Sequence, residues 1–319
     1  MSYAEATQTK RIKPVKRHIN GVLLLNKPYG ITSNRALQIA KHLFSAAKLG
    51  HTGTLDPMAT GLVRICFGEA TKFSSVLLNA DKTYRATLKL GYLSTTGDAE
   101  GEITQVKVVN STDKKLSAEK IKQVLEGFLG KIMQLPPMYS ALKHQGKPLY
   151  SYARKGVDIK RNPREITIYD LQTESFTGEE LVIVVRCGTG TYIRTLAEDI
   201  GKALGCGGAY LTALCRSTIG NFDLTNAPDL ALLEDMQMAE RDANLYPVDS
   251  ILDDYPTIDL DSIAATYLIQ GRVISNHPAA IKYPEGEVVR LYDHMKCFLG
   301  TGEVHAEGKI IPKRLMMTN

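Results

Sequence analysis

Residues 50–61, Gly50-His51-Thr52-Gly53-Thr54-Leu55-Asp56-Pro57-Met58-Ala59-Thr60-Gly61, constrain this chain more than any other stretch. Three glycines and three threonines surround one carboxylate, Asp56. Pro57 disfavours the α region for the residue before it, so Asp56 is held extended or in a turn. The glycines open backbone angles and close approaches that a side chain blocks. The segment therefore predicts a stiff, open loop between a helix-like run and a strand-like run. Such a loop has two uses. Asp-Pro can merely start a turn, or it can present an acid to something that approaches the backbone.

The flanking sequence predicts alternating elements. Residues 1–19 are polar and basic without periodicity, which predicts a flexible arm. Residues 21–26 form an apolar run that reads as a buried strand. Thr32 or Ser33 can cap a helix whose Leu37, Ala40, Phe44 and Ala47 share one face. Beyond the loop come a strand over 61–67, a helix over 70–78 and a strand over 83–90 with Tyr84, Ala86, Leu88 and Leu90 on one side. Residues 98–101 read as a turn, and residues 117–130 as a helix stopped by Gly130. Residues 131–164, rich in base, proline and tyrosine, lack a core pattern and predict an excursion from the fold. Strands over 166–176 and 181–187 lead through Gly188-Thr189-Gly190 into a helix. Its apolar stripe (Ile193, Leu196, Ala197, Ile200, Ala203 and Leu204) leaves Arg194 to one side. A strand over 209–219 and a helical and loop-like stretch over 221–250 complete a domain predicted to span 20–250. Residues 256–319 predict a small second domain with a short helix at 262–270 and strands near 287–292, 296–300 and 309–317.

Charge narrows the partner. The net charge of +5 conceals a segment, 221–262, with eleven acids against Arg241 alone. The excess of base lies elsewhere. Residues 141–164 hold seven Lys and Arg against Asp158, with Tyr150 and Tyr152 between them, and the arm adds Lys10, Arg11, Lys13, Lys16 and Arg17. Basic segments on a mixed surface are an electrostatic footprint for nucleic acid, although a solvated face looks the same. A chain of 319 residues buries enough surface to fold without disulfides or metals. The odd, scattered set Cys66, Cys187, Cys206, Cys215 and Cys297 contains no CxxC pair, so reduced thiols are expected. No apolar run reaches membrane-helix length and no signal peptide is evident, which predicts a cytoplasmic protein without membrane contact.

Cofactor motifs do not fit. Gly188-Thr189-Gly190 invites a dinucleotide reading, but the third glycine falls on Ile193 and no N-terminal βαβ unit surrounds it. Neither glycine loop ends in Gly-Lys-Ser/Thr, His51 has no metal-spaced companion, and no serine elbow exists. No cofactor and no metal are expected. What remains is Asp56, which can be nucleophile, base or turn cap. A nucleophilic carboxylate in a dry pocket must stay ionised, and Arg194 is the candidate partner that keeps it so. Tyr84 can be a stacking platform for a base or a core residue. Spacing and composition end at an α+β protein that binds RNA or DNA, with Asp56 as the candidate catalytic group.

Longer motifs carry a resemblance. Lys27-Pro28-Tyr29-Gly30-Ile31-Thr32-Ser33, residues 50–61, Gly68-Glu69-Ala70-Thr71-Lys72 and Asp81-Lys82-Thr83-Tyr84 stand in order along the chain. They are followed by Pro137-Met138-Tyr139-Ser140-Ala141, Gly190-Thr191-Tyr192-Ile193-Arg194-Thr195-Leu196 and Leu214 with Arg216. Together they resemble the TruB family of tRNA pseudouridine synthases over about residues 20–220, and the tail is similar to that family's small PUA-like RNA-binding domain. The resemblance implies a mixed, mainly antiparallel sheet with flanking helices, and isomerisation of uridine 55 in the tRNA T-loop to pseudouridine. The base is flipped from its stack, at a cost of a few kcal/mol. By the same resemblance Asp56 is the nucleophile, Arg194 pairs with it, and Tyr84 stacks on the uracil and takes the proton leaving its ring. His51 holds the space the base vacates, while Tyr192 and Leu214 line the pocket. The basic excursion, with Lys143, Lys147 and Arg154, grips the T-arm, and Lys27 is a further RNA-binding candidate. No cofactor and no obligate protein partner are implied.

Cys215 and Tyr210 depart from the family pattern, in which arginine and histidine are common, and put phosphate contacts on that strand in doubt. Two rivals stand beside this reading. One is a guide-RNA-dependent pseudouridylase of the same superfamily, which needs protein partners. The other is a non-catalytic RNA-binding or tRNA-folding protein, against which the intact set Asp56, Tyr84 and Arg194 argues.

Overall fold

The computed structural model describes residues 15–76, 80–109 and 116–317. Most of the basic arm and the end of the helix expected over 70–78 lie outside those residues. Strand β1 (Gly21–Lys27), helix α1 (Ser33–Leu43), β2 (Leu49–Thr52), β3 (Thr60–Phe67) and β4 (Lys82–Leu90) build the first half of the larger sheet. The hairpin β5 (Tyr92–Ser94) and β6 (Ile103–Gln105) precedes α2 (Ala118–Glu126) and β7 (Gly130–Gln134). A second hairpin, β8 (Lys143–His144) and β9 (Lys147–Pro148), leads to the short α3 (Leu149–Ala153). Then come β10 (Arg164–Thr177), β11 (Glu180–Cys187), α4 (Ile193–Ala203), β12 (Ala209–Ile219) and β13 (Phe222–Asp223). Helices α5 (Leu230–Asp235) and α6 (Met238–Ala243) and strand β14 (Leu245–Tyr246) close this part.

The large sheet has ten strands, in the order β14-β1-β3-β12-β4-β11-β10-β7, with β2 beside β3 and β13 beside β12. Its pairs are antiparallel except β3 with β12, where Thr60 and Gly61 lie beside Cys215 and Arg216. The fold is thus α+β on a mixed, mainly antiparallel sheet. One face carries the main core: Leu23, Leu25, Val63 and Ile65 from β1 and β3, Ala86 and Leu88 from β4, and Leu196 and Ile200 from α4. Thr32 caps α1 as the sequence predicts, accepting a 3.0 Å bond from the Arg35 amide. Gly61 has φ +102, and a Cβ there would sit 2.3 Å from the Arg216 carbonyl oxygen, so only glycine lets β12 run this close.

Two expectations need correction. The helix over 70–78 is a short 3₁₀ helix, Gly68–Lys72, followed by turns through residue 76. Thr71 and Ser74 donate their hydroxyls to the carbonyls of Gly68 and Thr71, which competes with helical bonding. The excursion is shorter than 131–164, because residues 131–134 belong to β7 and pair with the start of β10. That strand escapes pattern reading because its buried inward position is Gln134, a polar residue.

Residues 257–315 form the second, β-rich unit: β15 (Thr257–Asp259), α7 (Ser262–Ile269), β16 (Val288–Tyr292), β17 (Phe298–His305) and β18 (Lys309–Leu315) in one four-stranded sheet. It has its own core around Leu268, Val289, Leu291 and Ile310. It meets the larger sheet's unit through Phe298, whose ring centre lies 5.5 Å from that of Phe73. Among the described residues, no helix is long and apolar enough to cross a membrane.

Candidate active site

The loop bearing Asp56 spans residues 53–59, because residues 50–52 belong to β2 and residues 60–61 to β3. It is tied on three sides. The buried Ser33 hydroxyl accepts from the Leu55 amide at 2.8 Å and donates to the Leu55 carbonyl at 3.1 Å. The Gly30 amide and the Lys27 ammonium both donate to the Pro57 carbonyl, at 2.9 and 3.3 Å. Arg216 Nη2 donates to the Gly53 carbonyl at 2.7 Å. The rigidity that Pro57 starts locally is completed by residues far away in sequence.

Asp56 faces Arg194, whose Nε lies 3.0 Å from its Oδ2. Arg194 stands at the start of α4, off the apolar stripe as predicted, yet its side chain is only 7% exposed because two other elements cover it. Nη1 donates to the Thr96 carbonyl at 2.8 Å and Nη2 to the Tyr139 carbonyl at 2.7 Å. A second carboxylate, Asp98, lies 3.8 Å from Nε and is held by the Thr96 hydroxyl and the Glu100 amide. Burial pushes the Asp56 carboxyl above its ordinary 3.8; Arg194 and Lys27 oppose that rise and Asp98 adds to it. The guanidinium thus limits the cost of ionising a desolvated acid without cancelling it.

These groups line a cavity of about 850 Å³ together with His51, Tyr84, Tyr192, Leu214 and Arg154. Tyr84 is 8% exposed and sits opposite Arg216 in the β4/β12 register. Burial raises its phenol above 10, while contact with the Arg216 guanidinium pulls the other way, so it rests as a neutral phenol. His51 is half-buried and its Nδ1 meets no hydrogen-bond partner. Burial and the nearby Arg216 charge lower its pKa, which leaves the ring neutral. Tyr192 is clamped by Gln134, which accepts from its amide at 2.8 Å and donates to its carbonyl at 3.1 Å. The arrangement gathers an ionisable carboxylate, an aromatic ring and a guanidinium inside one cleft, groups whose chemistry covers nucleophilic attack, proton transfer and stacking on a planar ring.

The other predicted residues lie elsewhere. Lys27 is 0% exposed, and its ammonium donates to the carbonyls of Pro28, Ile31 and Pro57. It supports the loop from below and cannot touch an RNA phosphate, which corrects its assignment. Lys143 and Lys147 are exposed on the β8/β9 hairpin, away from the cavity lining. Arg154 reaches the cavity mouth, 5.3 Å from the Tyr150 ring centre. Sequence reasoning missed Asp98 and Glu100, read as a turn, and the lining cations Arg64 and Lys82. A polar residue at an inward strand position was the available signal for Arg64, between Val63 and Ile65. Among the described residues, no group of three or more His, Cys, Asp or Glu side chains is placed to hold a metal ion.

Comparison with known proteins adds the family. Residues 41–193 match the N-terminal domain of the TruB family pseudouridylate synthases. Residues 194–253 match the C-terminal domain of tRNA pseudouridylate synthase B, and residues 256–316 the C-terminal region of pseudouridine synthase II TruB. The chain is 60% identical over 302 residues to tRNA pseudouridine synthase B of Nitrosospira multiformis, covering 94% of this chain and 96% of that one. It is 51% identical over 306 residues to the protein of the same name from Methylobacillus flagellatus, covering 96% and 98%. Among solved structures, a Cbf5-Nop10-Gar1 complex matches with TM-score 0.68 at 24% identity, over 93% of this chain and 84% of that one. The archaeal box H/ACA sRNP Nop10-Cbf5 complex matches with TM-score 0.67 at 21% identity, over 92% and 85%. At that identity the two structures show a shared fold.

Proposed function

We propose that this chain, which belongs to the TruB family of pseudouridylate synthases, isomerises uridine 55 in the T-loop of tRNA to pseudouridine. The support at the level of tRNA is its likeness, at up to 60% identity, to proteins named tRNA pseudouridine synthase B. The observation that carries the chemistry is the 3.0 Å approach of Arg194 to Asp56, beside Tyr84 in one cavity. The reaction breaks the bond from the sugar to the base nitrogen, turns the uracil and makes a carbon–carbon bond. No atom is gained or lost, so no cofactor is required. Asp56 supplies the nucleophile, and Arg194 holds it ionised and aimed. The target base leaves its stack, an expense of a few kcal/mol, and rests on the face of Tyr84 between Leu214 and Tyr192. The proton that leaves the ring passes to the Tyr84 oxygen as the phenol gives up its own proton to water, and the Arg216 guanidinium beside it favours the transient phenolate that this exchange requires. Residues 135–163, with Lys143, Lys147 and Arg154, hold the T-arm across the cavity mouth.

The test is purified protein with unmodified tRNA and no other additive, followed by mapping of pseudouridine. Product at position 55 is expected with the chain alone. Asp56→Asn is expected to abolish it while leaving tRNA binding within about threefold, because the two side chains have nearly the same shape. Turnover by that variant refutes the nucleophile. Turnover only after adding a guide RNA and further proteins moves the chain to the guide-dependent class.

A further inference from the structure

The segment between β7 and β10 carries two neighbouring tyrosines on α3, and the fold uses them differently. Tyr152 serves the segment itself. Its hydroxyl donates to the His144 carbonyl at 3.2 Å, and its ring stands edge-on to the His144 imidazole, 5.9 Å between centres. Tyr150 is 40% exposed and lines the cavity, so it stands at the rim. The backbone beneath it is fastened. The amide of the buried Leu149 donates to the Leu142 carbonyl at 2.8 Å, and the Tyr150 amide donates to the Ser140 carbonyl at 3.1 Å. Arg154 follows one turn later, where its amide donates to the Tyr150 carbonyl at 3.1 Å and its guanidinium lies 5.3 Å from the Tyr150 ring centre. A ring on a fixed backbone with a cation against it is ordered before any ligand arrives.

Single exposed aromatic rings are ordinary on a protein surface, so placement decides what this one does. Among the described residues, three exposed tyrosines hold a guanidinium against the ring: Tyr150, Tyr169 with Arg186 at 5.0 Å, and Tyr267 with Arg272 at 4.4 Å. Of these, Tyr150 alone belongs to the cavity wall, which it shares with Asp56 and Tyr84. A strand that delivers one base to Asp56 must pass its neighbouring nucleotides over the rim. Extruding the target base also leaves the adjoining base with an uncovered face. An aromatic ring covers such a face whatever the base is, because every base has a π-face.

We propose that Tyr150 is a stacking platform for the nucleobase next to the target uridine, with the Arg154 guanidinium supporting its ring. The assignment rests on the uridine-isomerase reading above. It gives the 135–163 segment a second kind of contact. Lys143, Lys147 and Arg154 hold the strand through its charge, whereas Tyr150 holds a base through its face, independently of salt and of which base it is.

The experiment is a cycle of protein and RNA changes. Tyr150→Leu removes the ring and keeps an apolar side chain; Tyr150→Phe keeps the ring. A synthetic T-arm stem-loop is prepared intact, and with the base removed from the nucleotide on the 5′ or on the 3′ side of the target uridine. Thermal melting checks each protein and each RNA. Tyr150→Leu is expected to lower kcat/KM on the intact RNA about five- to a hundredfold, and Tyr150→Phe to recover most of that loss. Removing one of the two bases is expected to lower wild-type kcat/KM by a similar factor. Joined with Tyr150→Leu, that change loses no more than about twofold beyond either alone. The salt slope of RNA binding is expected to stay unchanged in Tyr150→Leu, since no phosphate contact is lost. Tyr150→Leu at wild-type kcat/KM, Tyr150→Phe as poor as Tyr150→Leu, a lowered salt slope, or losses that multiply with both RNAs overturn the platform. If removing a base unfolds the loop, the comparison of Tyr150→Leu with Tyr150→Phe on the intact RNA decides. Wild type that makes no pseudouridine on the intact RNA overturns the function instead, so the two failures are distinct.

Discussion

Arg194→Met isolates what the guanidinium contributes, because it keeps the aliphatic stem and deletes the charge. Four interactions disappear: 3.0 Å to Asp56, 3.8 Å to Asp98, 2.8 Å to the Thr96 carbonyl and 2.7 Å to the Tyr139 carbonyl. The two acids left behind differ. The Asp56 side chain is 38% exposed, so water reaches it and its share of the loss is screened. The Asp98 side chain is 3% exposed and retains only its local bonds to Thr96 and Glu100. Removing one partner of a buried pair costs about 3–5 kcal/mol, and screening at Asp56 places this case near the lower end, about 3 kcal/mol. Urea denaturation measures it. Adding Asp98→Asn removes the stranded charge and is expected to restore about 1–2 kcal/mol. Activity has its own signature. Arg194 opposes the rise of the Asp56 pKa, so its loss moves the acid limb of single-turnover pseudouridine formation to higher pH. A variant that loses under about 1 kcal/mol, as an exposed pair would, with an unmoved acid limb, refutes the reasoning.

The wild-type acid limb itself is expected above 3.8, since burial raises Asp56; a limb at or below that value contradicts the desolvated site. The sign for stability is opposite. A carboxyl whose folded pKa is raised favours the fold most below its unfolded pKa, and that contribution is lost as pH rises through the folded value. Gly61→Ala forces a Cβ to 2.3 Å from the Arg216 carbonyl at φ +102 and is expected to cost about 2–4 kcal/mol. An unchanged urea midpoint would mean that β12 does not run this close. Changing Lys143, Lys147 and Arg154 together to alanine is expected to lower the slope of log affinity for tRNA against log salt by about 0.7–0.9 for each phosphate that is no longer neutralised. An unmoved slope removes the 135–163 segment from the RNA grip.

What the sequence discloses depends on whether a residue's role is settled by its near neighbours. Asp56 is legible because Pro57 and the adjoining glycines shape its backbone locally, and the stripe Ile193, Leu196, Ala197 and Ile200 discloses α4 because apolar spacing alone selects the buried face. Polar residues that point inward give no such signal, since on paper they are indistinguishable from a solvated face. Lys27 reads as a surface cation, yet it is closed in by three carbonyls, one of them thirty residues away at Pro57. Gln134 breaks the strand pattern of β7 because it is spent on the backbone of Tyr192, fifty-eight residues on. Asp98 reads as a turn because its bonds to Thr96 and Glu100 are turn bonds, and only the fold brings Arg194 against its other oxygen. The hidden residues are thus those that fasten the site together, because a buried polar group needs a partner and the best-placed partner is often remote in sequence. Locally encoded residues state which chemistry is available, and remotely satisfied ones determine whether it is held in geometry. A variant such as Lys27→Met is therefore expected to lower turnover through the Asp56 loop while leaving the salt dependence of tRNA binding unchanged, the reverse of what a surface lysine would do.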